Sequence, residues 1–445
     1  MTQNNFKPND NPNLVKRVFS LDLVTKSVIT IYFVSLAFSQ WYYAGIEEGT
    51  LISLVPKNLT SILVVSIILV LVSSLERLSP MSISLNTSNT NLLIFVSILF
   101  AFSTFMSAVI GVWRSGVNFD TLEGIKSISA TLCGVLLVRH FSLDIHFYLR
   151  LYAYIFGSIV IFSLIQISIG LNWKTQNSFF TVGAEDRWWD LSSAWGPFAL
   201  SGKNVFGAIL VISFSLLAPI TFMTKIFNNF DRSFITIILI LDVYLILLSR
   251  SRTSIILVLL NLIILLLFFT AYSKNPIPLT FSLLFIPLLG GFFFYRNTSW
   301  ILSTESSIAR GNSLSAALMA PDSNFLFGTG YNSIFQLTAS TFGNSLAQAG
   351  TRGVNVDNYF VRRSLEGGLL GLISLLGIIA SLFYLFIIRE RFGKQGRIWG
   401  ICSALLAIDI TVASTTGDYL SFQLVNCFFF LMIALVAGGL RSTTP

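Results

Sequence analysis

The chain has 445 residues, 54% of them hydrophobic and 11% charged, with a formal net charge of +8 and a mean hydropathy of +0.77. A soluble globule of this length cannot hide so much apolar surface, so the composition excludes a water-soluble enzyme and demands a membrane. No nucleic-acid partner is expected, and membrane lipids are the obligatory surroundings.

Residues 1–21, MTQNNFKPNDNPNLVKRVFSL, are polar and asparagine-rich and lack the short apolar core and small-residue cleavage site of a secretory signal. They read as a retained cytoplasmic tail. Beyond them, apolar blocks recur at the length that crosses ~30 Å of hydrocarbon at 1.5 Å per residue, and about twelve are present. Nine spans are expected between 22 and 295, at 22–41, 58–75, 92–112, 121–141, 147–170, 203–223, 234–249, 252–272 and 277–295. A large loop follows at 296–365, and three more spans at 366–388, 397–414 and 420–440 lie within the closing segment 366–445. The expected fold is therefore an all-α polytopic membrane protein. Cys133, Cys402 and Cys427 all fall inside spans and read as small apolar packing groups. His140 and His146 flank the fourth and fifth spans beside Arg139 and Arg150, as interfacial side chains do. There is no zinc-type ligand spacing and no P-loop.

Lysine and arginine near span ends set the orientation. With the N-terminus inside, Lys7, Lys16, Arg17, Lys26, Arg77, Arg139, Arg150, Lys225, Arg232, Lys274, Arg389, Arg391, Lys394, Arg397 and Arg441 all come out cytoplasmic. Both long connections, 171–202 and 296–365, then face outward. One short turn breaks the pattern, because Arg250 and Arg252 in "LLSRSRTSIILVLL" fall on the outer side. Two readings stand side by side. The pair either snorkels to lipid phosphates or faces an outer cavity and grips a phosphorylated ligand, since guanidinium forks match phosphate oxygens in pairs.

The outer loop 296–365 carries its own helical stretches, a Pro-Asp break at 321–322 and the turn "GTG" at 328–330. Loops of this length in compact architectures are usually lids or site-building elements. The other outer connection contains "GAEDRWWDLSSAWG" at 183–196, whose three tryptophans either stack on sugar or form an interfacial belt. Asp242 and Asp409 lie deep within spans, and intramembrane carboxylates are functional candidates. They raise a rival reading, a twelve-span transporter or lipid-linked oligosaccharide flippase using them as relay groups. Against it, the two halves share no internal repeat. Simple neutralisation by a hydroxyl or arginine of a neighbouring span is the plainer account of both residues.

Four segments together, "SGKNVFGAIL" at 201–210, "SRTSIILVL" at 251–259, "FLFGTGYNSIF" at 325–335 and "VDNYFVRRSLEGGLLGLI" at 356–373, with Arg310 early in the large loop, resemble the O-antigen ligase/polymerase superfamily, which includes the Wzy-type polysaccharide polymerases. The resemblance covers 201–373, under half of the chain, and rests on the order and spacing of the motifs. It implies a GT-C-like, metal-independent glycosyltransferase of the bacterial inner membrane, active at the periplasmic face and needing no cofactor. Its partners would be an undecaprenyl-pyrophosphate-linked oligosaccharide donor and acceptor, with a chain-length regulator as a further partner. The family's pyrophosphate-contacting arginines fall by position on Arg252 and Arg310, with Arg250 as helper. Lys203 adds a further charge to the site or snorkels at the interface.

Ligases that attach glycan to lipid A core carry a His-Asn pair before the "GLLG" helix. This chain has Asp357-Asn358 there and no histidine in the outer loop, so the polymerase reading is favoured over the ligase. Asp357 serves as general base, orients the acceptor hydroxyl, or pairs with Arg352 or Arg362. Asn358 and Tyr359 offer hydrogen bonds and a stacking surface to sugar. Arg362 and Arg363 bind either the acceptor pyrophosphate or lipid headgroups.

Overall fold

The computed structural model describes residues 12–38, 67–68, 90–115, 119–169, 202–249, 251–272, 325–330, 358–416 and 423–443. These are helical almost throughout. Ten α-helices occur among them: α1 (Pro12–Phe38), α2 (Thr90–Ser115), α3 (Phe119–Leu143), α4 (Ile145–Ile169), α5 (Gly202–Met223), α6 (Asn229–Ser249), α7 (Arg252–Tyr272), α8 (Tyr359–Ile387), α9 (Gly393–Thr416) and α10 (Gln423–Thr443). A single 3-10 turn, Arg389–Phe392, joins α8 to α9. Among the described residues, eight helices are long and apolar enough to cross a membrane, namely α2 and α4 to α10. The protein is thus a multi-pass membrane protein. The expected span at 58–75 apart from residues 67–68, the expected span at 277–295, nearly all of the loop 296–365, and the tryptophan segment lie outside the described residues.

Burial sorts the helices. Positions 205–221 of α5 and 425–440 of α10 are buried without interruption, so these two form the centre, while α2, α4, α6 and α7 keep one face outward. An all-round apolar helix is a core helix, and a helix with one buried stripe is peripheral. Because lipid is as apolar as leucine, helices in a membrane gain association energy from close packing, which small residues permit. Three glycines show this. A Cβ at Gly134 of α3 would strike Phe430 of α10, one at Gly438 would strike Phe141 of α3, and one at Gly439 would run into the Trp399 ring of α9. Between α10 and α3, Asn426 donates to Ser127 Oγ at 2.5 Å.

The ends of the bundle differ. One end gathers the cations and pairs them between neighbouring elements. Lys26 of α1 meets Asp144 in the α3–α4 turn at 2.9 Å, and Arg150 of α4 meets Asp231 of α6 at 3.1 Å. Arg397 of α9 meets Glu390 of the 3-10 turn at 2.5 Å, while Arg441 of α10 donates to Thr90 and Asn91 of α2, both at 2.8 Å. This basic end is the one to which the charge pattern assigns the cytoplasm.

Candidate functional site

The opposite end holds the described residues of the sequence motifs. The α6–α7 turn is compact: Ser249 Oγ accepts from the Ser251 amide at 3.2 Å, and Ser254 donates to Ser251 Oγ at 2.9 Å. α5 comes hard against this turn at Gly207, where any Cβ would collide with Ser254 and crowd Ser251. Segments 201–210 and 251–259 are thereby packed together, with Arg252 as the first residue of α7, half-buried on the edge of that contact.

The second pair of motifs is joined more intimately. α8 is broken at Gly368, whose backbone sits at φ 60°, ψ −159°. In an unbroken helix the amides of Leu369 and Leu370 would donate to the carbonyls of Leu365 and Glu366, four residues back. Both bonds are replaced by bonds to the turn 325–330. Thr329 N–H donates to Leu365 O at 2.7 Å and Gly330 N–H to Glu366 O at 3.1 Å, while Leu369 N–H reaches Phe325 O at 2.9 Å and Leu370 N–H reaches Leu326 O at 3.2 Å. Four backbone groups that the break would otherwise leave orphaned are satisfied by a second segment of chain, the condition under which a broken helix is tolerated in a membrane protein.

Glycine is required on both sides of this junction. A Cβ on Gly368 would overlap the Gly328 amide and the Leu326 carbonyl, and one on Gly328, at φ 72°, would overlap the backbone of 365–368. Gly330, at φ 106°, lies against Gly111 of α2 with the same intolerance. Ser107 of α2 closes the assembly by donating to Glu366 O at 2.7 Å. The turn "GTG" is therefore wedged between α2 and the break in α8.

The side chains of this segment follow helix periodicity. Tyr359, Arg363, Glu366 and Gly367 share one buried face, as residues spaced by three and four must. Arg363, only 1% exposed, points between α8 and α2. Its Nη2 donates to Ser103 Oγ at 2.7 Å and Thr104 Oγ1 at 2.8 Å, and the guanidinium lies over the Phe100 ring at 4.5 Å. Arg362 forms an i,i+4 ion pair with Glu366 at 3.0 Å, nearly out of solvent. Asn358 caps α8 by accepting from the Val361 amide at 3.1 Å, and its Nδ2 reaches Thr415 O of α9 at 3.5 Å.

Tyr359, expected to offer a surface to sugar, and Arg363, expected to bind acceptor pyrophosphate or lipid headgroups, both stand on the buried face of α8. Glu366 is the residue that sequence reasoning missed. Its spacing from Arg362 was the available signal. Arg250, Arg310, Asp357 and Arg352 lie outside the described residues, as do Glu185 and Asp186. Lys203 stands in the first turn of α5, and its side chain is outside them too.

Comparison of the chain with protein-family models and with curated proteins finds no match.

Midway through the bundle lie the two carboxylates. Asp409 of α9 accepts from Ser215 of α5 at 2.5 Å and from Asn261 of α7 at 2.8 Å, and Asn261 also donates to Ser215 Oγ at 2.8 Å. This three-helix knot is the hydroxyl-type neutralisation expected of it. Asp242 of α6 differs. It is fully buried, and neither of its oxygens has a hydrogen-bond partner among the described residues. On the adjoining stretch of α5, Ser213 pairs with Tyr152 of α4 at 2.5 Å.

Proposed function

We propose that the protein is a polysaccharide polymerase of the bacterial inner membrane, which transfers a glycan from undecaprenyl pyrophosphate to the non-reducing end of a second lipid-linked repeat unit. The observation that carries this reading is the interlock at one end of the bundle. Four segments that resemble the O-antigen ligase/polymerase superfamily by sequence meet there in two pairs, Gly207 against Ser251–Ser254 and the 325–330 turn within the break of α8.

In the proposed reaction the acceptor hydroxyl attacks the anomeric carbon of the donor glycan. The new C–O bond forms as the bond from that carbon to the pyrophosphate oxygen breaks, and the departing pyrophosphate takes the electron pair. Charge grows on the leaving group, so fixed guanidinium groups placed there lower the barrier without a metal. Arg252 and Arg310 fill that role, with Arg250 and Lys203 adding charge. Asp357 receives the hydroxyl proton or orients the hydroxyl. The Asp357-Asn358 pair favours polymerisation over ligation to lipid A core.

A second reading has one observation behind it. A buried carboxylate, Asp242, with no hydrogen-bond partner among the described residues is the kind of feature that marks transport paths. The deciding experiment supplies purified, reconstituted protein with a lipid-linked repeat unit. A ladder of oligomers supports the polymerase. Transfer confined to lipid A core would mean a ligase, and unaltered substrate moved across the vesicle wall would mean a flippase.

A further inference from the structure

At the basic end, far from the site above, a cavity of about 360 Å³ opens between α5 and α7, within the size range of small-ligand sites. Phe214, Ala218, Phe222, Leu262, Leu265 and Phe269 wall it with hydrocarbon. Pro219, within α5, also borders it and has no amide proton to continue the helical ladder. Two polar groups line the same cavity, Thr221 of α5 and Arg232 of α6. Thr221 is fully buried, and its hydroxyl has no hydrogen-bond partner. Arg232 donates one Nη to the Thr224 carbonyl, which holds the α5–α6 turn, while its buried Nε has no partner.

Position adds to chemistry. Thr221 lies in the last turn of α5, Arg232 in the first turn of α6, and Phe269 near the end of α7, so the polar groups stand at the ends of helices long enough to span a bilayer, where headgroups are expected, and Phe214 and Leu262 extend the apolar walls toward the middle of those helices. The neighbouring carboxylate, Asp231, is engaged elsewhere, with Arg150 of α4 at 3.1 Å and Tyr154 at 2.6 Å. It does not neutralise the cavity. A purely apolar filler would leave Nε and the hydroxyl unpaired, and a free anion would leave the hydrocarbon walls empty. An amphiphile with an anionic head satisfies both.

We propose that this cavity is a binding site for an anionic phospholipid of the adjacent leaflet, with one acyl chain between α5 and α7 and the phosphodiester accepting from Arg232 Nε and Thr221 Oγ1. A diester supplies two non-bridging oxygens for those two donors, and a charge-assisted bond to guanidinium is the stronger of the pair. The assignment is independent of the polymerase reading, since none of these residues belongs to the opposite end.

Native mass spectrometry of the full chain in mild detergent, titrated separately with phosphatidylglycerol, phosphatidylcholine and undecaprenyl phosphate, tests it. Phosphatidylglycerol should bind at least tenfold more tightly than phosphatidylcholine. Thr221→Val, which keeps the shape and removes the hydroxyl, should weaken it about threefold, and Leu265→Trp, which fills the cavity, should abolish the tight class of binding. Arg232→Gln should erase the preference for the anionic lipid. Because Arg232 also holds the α5–α6 turn, an unfolded Arg232→Gln leaves the decision to the other two variants. Equal affinity for the two phospholipids, undiminished binding in Leu265→Trp, or a preference for undecaprenyl phosphate would each overturn the proposal.

Discussion

The two ends of the bundle solve the problem of charge in different ways. At the basic end, Lys26, Arg150 and Arg397 reach partly exposed positions and meet carboxylates of neighbouring elements. At the opposite end, Arg363 is enclosed by two hydroxyls and an aromatic ring, and the helix that carries it is interrupted and stitched to a turn from the large loop. Solvent-screened pairs at a membrane surface contribute little each. A broken helix with four substituted backbone bonds is costly to disturb, because a buried backbone group that loses its partner bears its full desolvation cost. The substituted backbone bonds are therefore found at the end where the sequence motifs converge.

That contrast can be broken by mutation, most severely at the junction. Gly368→Ala should cost roughly 2–6 kcal/mol, combining left-handed backbone strain with overlap against Gly328 and Leu326. Thermal unfolding in detergent should show a large drop or no folded protein, and a wild-type transition would mean that the break is not structural. Arg363→Ala should lose roughly 2–5 kcal/mol through an emptied space between α2 and α8. If melting were unaltered, the guanidinium would be serving something other than packing. Asn358→Ala removes an N-cap acceptor and the tie to α9, an expected loss of about 1 kcal/mol in the same melt. Smallest is Lys26→Ala at the basic end, where the pair is about one-third exposed and less than ~1 kcal/mol is expected. A larger loss there than at Asn358 would reverse the comparison between the ends.

Much of the fold was legible in the sequence because apolar block length is a direct consequence of membrane thickness. The expected spans 203–223 and 252–272 coincide with α5 and α7 to within a residue. The last span before the C-terminus was harder to place at its outer edge. α10 begins at Gln423, where the expected span starts at 420. The start of α8 shows what hydropathy leaves unread. "DNYFVRRSLEGGLLG" looks like a polar approach to a span beginning near 366, and hydropathy has no term for a helix that starts at Tyr359, breaks at Gly368 and resumes. The two halves of the junction lie some forty residues apart in the chain, and only a paired geometry reveals that "GTG" and "EGG" need glycine for the same reason. The inward turn of Arg363 was in principle readable from its spacing to Tyr359 and Glu366. Charge alone suggested a surface role. Asp409 followed expectation by finding Ser215 and Asn261, and Asp242 did not find a hydrogen-bonding partner.

The central claim concerns the cations at the end opposite the basic one, and Arg252 at the head of α7 tests it most directly. Polymer formed from a lipid-linked repeat unit by reconstituted Arg252→Ala protein should fall about 100- to 1,000-fold against the wild type, with single-repeat substrate persisting and the protein still folded. A full-length ladder from that variant at the wild-type rate would contradict the account.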